Sequence, residues 1–477
     1  MAQHAFTDWL PRAREGLTWL NRRGMLKASL AGIAGLTLAD LNRSRALAAA
    51  NGQSTPSRKS VILLWMAGGP SHIDTWDPKP DRPAENRGPF DTIKTRIPGV
   101  YICEHLPKQA AMLDKFTLIR SVDCRKSNHQ PNKVMQTGHR DAAPRVNPNA
   151  DRIPSIASIV AKHHGANLAG MAPYVAFQTD PTHVGMAGIL GQEFNPFIAQ
   201  DAARLPLYTD VGVDTGRVSS PNLFSLPAGI SADRIRRRTS LAQQIDQLKS
   251  NMDASGAMTS LDQYSVQAVE MIAGSRARDA FDIQQEPESV RQRYGDHLWL
   301  QQALLARRLV EAGVSFVTLD LSHHRASGTW DTHGDNIPPY GGIKNGLGPL
   351  LPLFDHLITT LVSDLEERGL LDETLVIAMG EFGRTPKIGT QDSSDGRDHW
   401  PVVMSMCLAG GRMNHGQVIG ESERDGGQIK SRPVAPSDLA ATIYRHMGVS
   451  LDTTYLDGRG RPHYAVQEGG RPIEELF

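Results

Sequence analysis

Short, unbroken apolar runs that stop abruptly in polar, glycine-rich clusters recur along this 477-residue chain. Residues 60–66 read SVILLWM, 314–321 read VSFVTLDL, 374–379 read TLVIAM and 403–409 read VMSMCLA. Runs this short, with no polar alternation, suit strands buried on both faces, as in a parallel sheet. Weaker strand signals lie at 116–122 and 174–177. Helical patterns fill the intervals at 128–138, 154–164, 290–312 with Gly313 as its stop, 350–368 with Gly369 as its stop, and 436–447. Helices alternating with buried strands predict an α/β fold with a mainly parallel central sheet. Residues 180–225, rich in Gly, Pro and Asp, predict a long loop. Polar amphipathic helices are expected at 231–250 and 258–281, making a helical insertion near 230–285 within one α/β domain over 51–477.

Composition narrows the function classes. Hydrophobic residues at 40% and charged residues at 21% are globular proportions and exclude a disordered chain. Lysine plus arginine and aspartate plus glutamate both number 51, so no bulk basic footprint points to nucleic acid. No apolar run approaches the ~20 residues that span a bilayer. The charge is nevertheless uneven. Residues 1–50 carry seven basic and three acidic residues. There Arg22-Arg23 is followed by Leu26 and Lys27, then by a modestly apolar stretch over 28–39 and small-residue sites around Ala46, Ala48 and Ala50. This is the layout of a twin-arginine export signal, with a periplasmic or extracellular destination. The three cysteines, Cys103, Cys124 and Cys407, permit at most one bridge, and Cys407 is expected in a buried strand.

In an open parallel sheet, functional groups collect beyond the carboxyl ends of the strands. Four runs here lead into clusters that join carboxylates to histidines or an arginine. They contain His72 and Asp74; Asp331 and His333; Glu381 and Arg384; and Asp398 and His399. Imidazole mixed with carboxylate is a donor set for a divalent cation, with zinc first and calcium or magnesium as alternatives. The seven acids and histidines are expected to converge, and Arg384 to hold a tetrahedral oxyanion through its guanidinium fork. The competing reading is a hydrogen-bonded polar network lining a pocket without metal, with Arg384 pinned to an acid such as Asp398.

The stretches AGGPSHIDT at 67–75, WDTHGDN at 330–336, MGEFGRTP at 379–386, GRDHWP at 396–401 and PIEELF at 472–477 resemble the bacterial family called domain of unknown function 1501. The resemblance covers nearly the whole chain and implies an alkaline-phosphatase-like three-layer sandwich of the sulfatase superfamily. By that resemblance, Glu381 stands where an aspartate of an Asp-His pair is usual, and Phe382 where the histidine is. Asp331 and His333 are similar to an Asp-x-x-x-His pair with shorter spacing, and His399 to a late histidine ligand. Ala67-Gly68-Gly69 occupies the place of a metal-binding aspartate, so His72 or Asp74 would substitute. The nucleophile is expected in 121–129, from Ser127, Cys124 or His129. The residues after Cys124 lack the Pro or Ala, and the Arg, that formylglycine formation requires. The leading expectation is thus an exported metal-dependent hydrolase of phosphate or sulfate esters, acting on an anionic small molecule or polysaccharide. The alternative is an exported binding or assembly protein that keeps the fold without catalysis.

Overall fold

A computed structural model of the chain describes residues 58–127, 133–144, 146–177, 183–199, 271, 275–322, 330–334, 336, 341–457 and 459–477, with four more near the N-terminus. Apart from those four, the export segment lies outside the described residues, as do His129 and the expected insertion up to residue 270. Residues from Arg58 to Phe477 pack as one unit. Among the described residues, no helix is long and apolar enough to cross a membrane.

Among the described residues, eight strands build the central sheet: β1 (Ser60–Trp65), β2 (Phe116–Val122), β3 (Tyr174–Phe177), β4 (Phe197–Ile198), β5 (Phe316–Asp320), β6 (Thr374–Met379), β7 (Met404–Gly410) and β8 (Gln417–Ile419). Their spatial order is β8-β2-β7-β6-β1-β5-β3-β4. Only β7 runs against its neighbours, β6 and β2. The sheet is therefore mainly parallel, and β7 begins at the edge where the other strands end.

Every residue of β1 is buried, and its side chains alternate between two cores. Ile62 and Leu64 face α2 (Leu298–Ala312) and α3 (Gly348–Glu367), packing with Leu304, Leu305, Leu357 and Leu361. Val61, Leu63 and Trp65 face α1 (Ile156–His163) and α4 (Pro436–Met447), packing with Ile159, Val160, Leu439 and Tyr444. The result is the three-layer α/β sandwich that the resemblance implies. All three cysteines are buried and free, so no disulfide forms between them.

Two departures from the sequence reading have local causes. The single helix expected over 290–312 is two helices, Glu288–Tyr294 and α2. Gly295 takes φ 96°, which ends the first, and the His297 side chain then caps the second by accepting from Trp299 N–H at 3.2 Å. The edge strands β4 and β8 have two and three residues, too few for a periodic signal. A buried ion cluster joins α2 to α3: Arg307 reaches Asp364 at 2.8 Å and Glu286 at 2.9 Å, and these guanidinium contacts hold the Glu286 carboxyl down at about 2.

Candidate metal centre

Beyond β1 the chain turns through Gly68 and Gly69, at φ 116° and 79°. A side chain has no room here. A Cβ on Gly68 would lie 2.5 Å from Asp331 N, and one on Gly69 would lie 2.5 Å from the Phe382 ring. Three segments distant in sequence thus meet at one point. Glu381, fully buried at the end of β6, accepts Gly68 N–H at 2.8 Å through Oε1. Arg384, also fully buried, ties all three together. Its Nε donates to Gly69 O at 3.0 Å, Nη1 to Arg397 O at 3.1 Å, and Nη2 to Gly68 O and to Asp331 Oδ1, the latter at 2.9 Å. The acid it pairs with is Asp331 rather than Asp398.

Between β6 and β7, Gly383–Arg384 pairs antiparallel with His399–Trp400. This small ladder holds Asp398 and His399 against the 331–333 loop. His333 Nδ1 hydrogen bonds to Asp331 Oδ1, and His333 Nε2 stands 3.3 Å from Asp398 Oδ1. The rings of His333 and His399 are 4.5 Å apart, and Phe382 packs 4.5 Å from His399 on one side. Potential ligand atoms of His333, Asp398 and His399 all lie within 4.8 Å of one another. Of the seven residues expected to converge, these three form a ligand-competent group. Asp331 adjoins them by orienting His333.

His333 stands between two carboxylates, with Nδ1 against Asp331 Oδ1 and Nε2 at 3.3 Å from Asp398 Oδ1, a contact that either a cation held there or a proton on Nε2 satisfies. Two imidazoles and a carboxylate, with one imidazole held from behind by an acid, suit zinc with a coordination position to spare.

The other expected ligands are placed elsewhere. Asp74, fully buried, is gripped by Arg397 through Nε at 2.7 Å and Nη2 at 3.2 Å, and also accepts from Ser71 Oγ. His72 is buried and contacts Gly426 O through Nε2 at 2.8 Å, and burial lowers its pKa to about 4. A neutral ring donating through Nε2 leaves Nδ1 lying against Gly383. Glu381 is spent, at least through Oε1, on the Gly68 turn.

The 123–127 segment follows β2, whose last residue, Val122, pairs with Met404 at the start of β7. Its backbone therefore lies at the same sheet edge as the His399 ladder. Lys126 adopts φ 73°, and Ser127 is 6% exposed with an Oγ that makes no hydrogen bond among the described residues. Burial raises the Cys124 thiol far above its ordinary range, which keeps it protonated and a poor nucleophile.

A second polar cluster escaped the sequence reading. His183 Nδ1 meets Asp320 Oδ2 at 2.8 Å, and Ser322 Oγ lies 3.0 Å from the same nitrogen; all three residues are buried. A buried acid ending β5 was the available signal, but its partner lies 137 positions away.

The family model described as protein of unknown function (DUF1501) matches residues 58–477. No curated protein matches. Among solved structures, a sulfatase from Pseudoalteromonas sp. is 13% identical, with 86% of this chain and 70% of that chain covered and a TM-score of 0.35. A phosphonate monoester hydrolase from Silicibacter pomeroyi is 14% identical, covering 87% and 76%, with a TM-score of 0.34. The zinc complex of the C-terminal periplasmic domain of EcEptC from Escherichia coli is 8% identical, covering 83% and 84%, with a TM-score of 0.34.

Proposed function

The chain belongs to the DUF1501 family, and on that premise we propose that it is an exported, metal-dependent hydrolase of phosphate or sulfate esters. One observation carries the reading: His333, aimed by Asp331, turns Nε2 toward Asp398 and His399 at the rim of the sheet. A divalent metal held there, zinc first, would polarise an ester oxygen and make a bound water or hydroxyl more acidic. Asp331 fixes the His333 tautomer, Phe382 limits how His399 can swing, and Arg384 holds the turn on which Asp331 rests. Ser127 is the nucleophile candidate, because its hydroxyl is buried, has no hydrogen-bond partner among the described residues and follows a strained turn.

Metal analysis of the purified protein tests the centre. Wild type is expected to retain zinc through dialysis, and His333→Ala and His399→Ala to lose it while remaining folded. A protonated His333 bridging Asp331 and Asp398 would satisfy the same contacts without metal. In that case wild type carries no stoichiometric metal and chelators leave it unchanged, which favours the non-catalytic binding protein. With metal present, Ser127→Ala should abolish turnover of aryl phosphate or sulfate esters if Ser127 attacks, and spare it if water does.

Export through the twin-arginine route rests on the N-terminal segment. Replacing Arg22 and Arg23 by lysine removes the guanidinium forks while keeping the charge. The precursor is expected to accumulate in the cytoplasm, and undiminished export of the double variant would refute the route.

A further inference from the structure

The loop that connects Arg384 to Asp398 has a second face. Its residues Ile388, Gly389, Ser393 and Asp395 line a hollow of about 350 Å³ together with Glu85 and Gly88. A neighbouring hollow of about 550 Å³ shares Pro89 with it and is lined by Phe90, Glu104, His105 and Lys344, among others. Together they make an open groove.

The groove is built into the same framework as the metal centre. Ile388 N–H donates to Glu85 O at 2.7 Å, and Asn86 Nδ2 to Pro386 O at 2.7 Å. Gly88 lies against the buried Asp74–Arg397 pair, where any Cβ would run into Asp74 Oδ1. Arg397 directly precedes Asp398, so this ion pair is the partition between groove and centre. Asp395 also accepts Lys344 N–H at 2.7 Å, joining the two hollows. It is three residues from Asp398, so their Cα atoms are at most about 11 Å apart.

The lining has a definite chemistry. The rings of Phe90 and His105 meet edge to face at 4.6 Å, presenting aromatic surface in an open trough. Such surface suits the C–H faces of a pyranose ring, which are apolar and weakly positive against the electron-rich ring face. Glu104 and Lys344 stand beside it in the larger hollow, and Glu85 and Asp395 line the smaller one, so three carboxylates face one ammonium along the groove. Hydroxyl and ammonium groups are welcome in such a trough, and sulfate or phosphate groups are repelled.

We propose that this groove binds a sugar chain bearing hydroxyl or amino groups and no anionic substituents, as the part of the substrate beyond the ester. The inference rests on the hydrolase reading for its placement in the reaction, but sugar binding does not depend on it. The substrate class is thereby narrowed to a sparsely esterified glycan, with a single anionic ester at the metal centre and uncharged or cationic sugars leading away from it.

Titration calorimetry on the full chain tests this with three probes: a β-1,4-linked glucosamine hexamer, the corresponding N-acetylated hexamer, and dextran sulfate. Both hexamers are expected to bind saturably, and dextran sulfate not at all. Phe90→Leu keeps the side chain's packing against the core but loses the aromatic face, and should weaken both hexamers at least tenfold. Glu104→Gln should weaken the glucosamine hexamer several-fold and spare the acetylated one. His105→Ala is the second route to the aromatic contact should the Phe90 variant fail to fold. His399→Ala, which removes a proposed metal ligand, should leave hexamer binding intact. Failure of the hydrolase reading would appear as absent metal and turnover with sugar binding preserved. Absence of hexamer binding, tighter binding of dextran sulfate, or indifference to both aromatic substitutions would overturn the groove proposal.

Discussion

Replacing Arg384 by methionine is expected to destabilise the folded protein by about 3–5 kcal/mol, because it leaves the buried Asp331 carboxylate without its guanidinium and several carbonyls without their donor. Asp331 Oδ1 loses its 2.9 Å partner, and the carbonyls of Gly68, Gly69 and Arg397 lose theirs. Water cannot replace the guanidinium, which is fully buried. Arg384→Lys keeps the charge but has three donors where the fork has five, so it should fall between methionine and wild type. Denaturant unfolding reads the effect as a lower midpoint at unchanged slope. The opposite result would restore the role of oxyanion holder to Arg384: an Arg384→Lys variant as stable as wild type that binds phosphate, sulfate or vanadate clearly more weakly. The present geometry favours the clamp, since the guanidinium is already surrounded by acceptors from the protein.

Acid is expected to destabilise the fold well before the carboxylates are exhausted. His446 donates through Nε2 to Ser60 O at 3.0 Å, tying α4 to β1, and burial lowers its pKa to about 4. His297 caps α2 as a neutral ring, and burial lowers it likewise to about 4. Both have folded values below their unfolded value near 6.5, so the unfolded chain takes up protons first. Stability is therefore complete above about 6.5 and declines as pH falls toward 4, by about 3 kcal/mol per group at order of magnitude. Glu286, held down to about 2 by its arginines, adds a further loss below about 4.5, its ordinary range. Unfolding curves at pH 7, 5.5 and 4.5 check the sign. A free energy that stays level across that interval would contradict it, and His446→Gln should flatten the decline.

The proposed groove and the proposed metal centre are separate in these tests because different forces would hold their ligands. The centre depends on charges brought together at the sheet rim, and the groove on an aromatic pair and a carboxylate surplus on the outer side of the Arg397 loop. The Asp74–Arg397 pair serves both. Its loss should impair hexamer and metal binding together, whereas substitutions at Phe90 or His399 should divide them.

The chain's own pattern determined the layered sheet. Residues 174–177, 374–379 and 436–447 form the strands and the helix expected of them, residue for residue, because a buried strand or a capped amphipathic helix is encoded within a dozen neighbours. The strand-end clusters were legible for the same reason: His72, Asp74, Glu381 and Arg384 follow closely on apolar runs, and Asp398 and His399 lie just before one. Which members of those clusters meet was decided only in three dimensions. Asp74 finds Arg397 across 323 positions and Arg384 finds Asp331 across 53, while His333, Asp398 and His399 are gathered by a two-residue ladder. Asp320 and His183 met without any local sign that they would. A carboxylate or imidazole carries no period that names its partner. Its role is settled by which opposite charge or donor the strand order and the loop closures bring within about 3 Å, since at that separation a buried charge is compensated and at twice it is not.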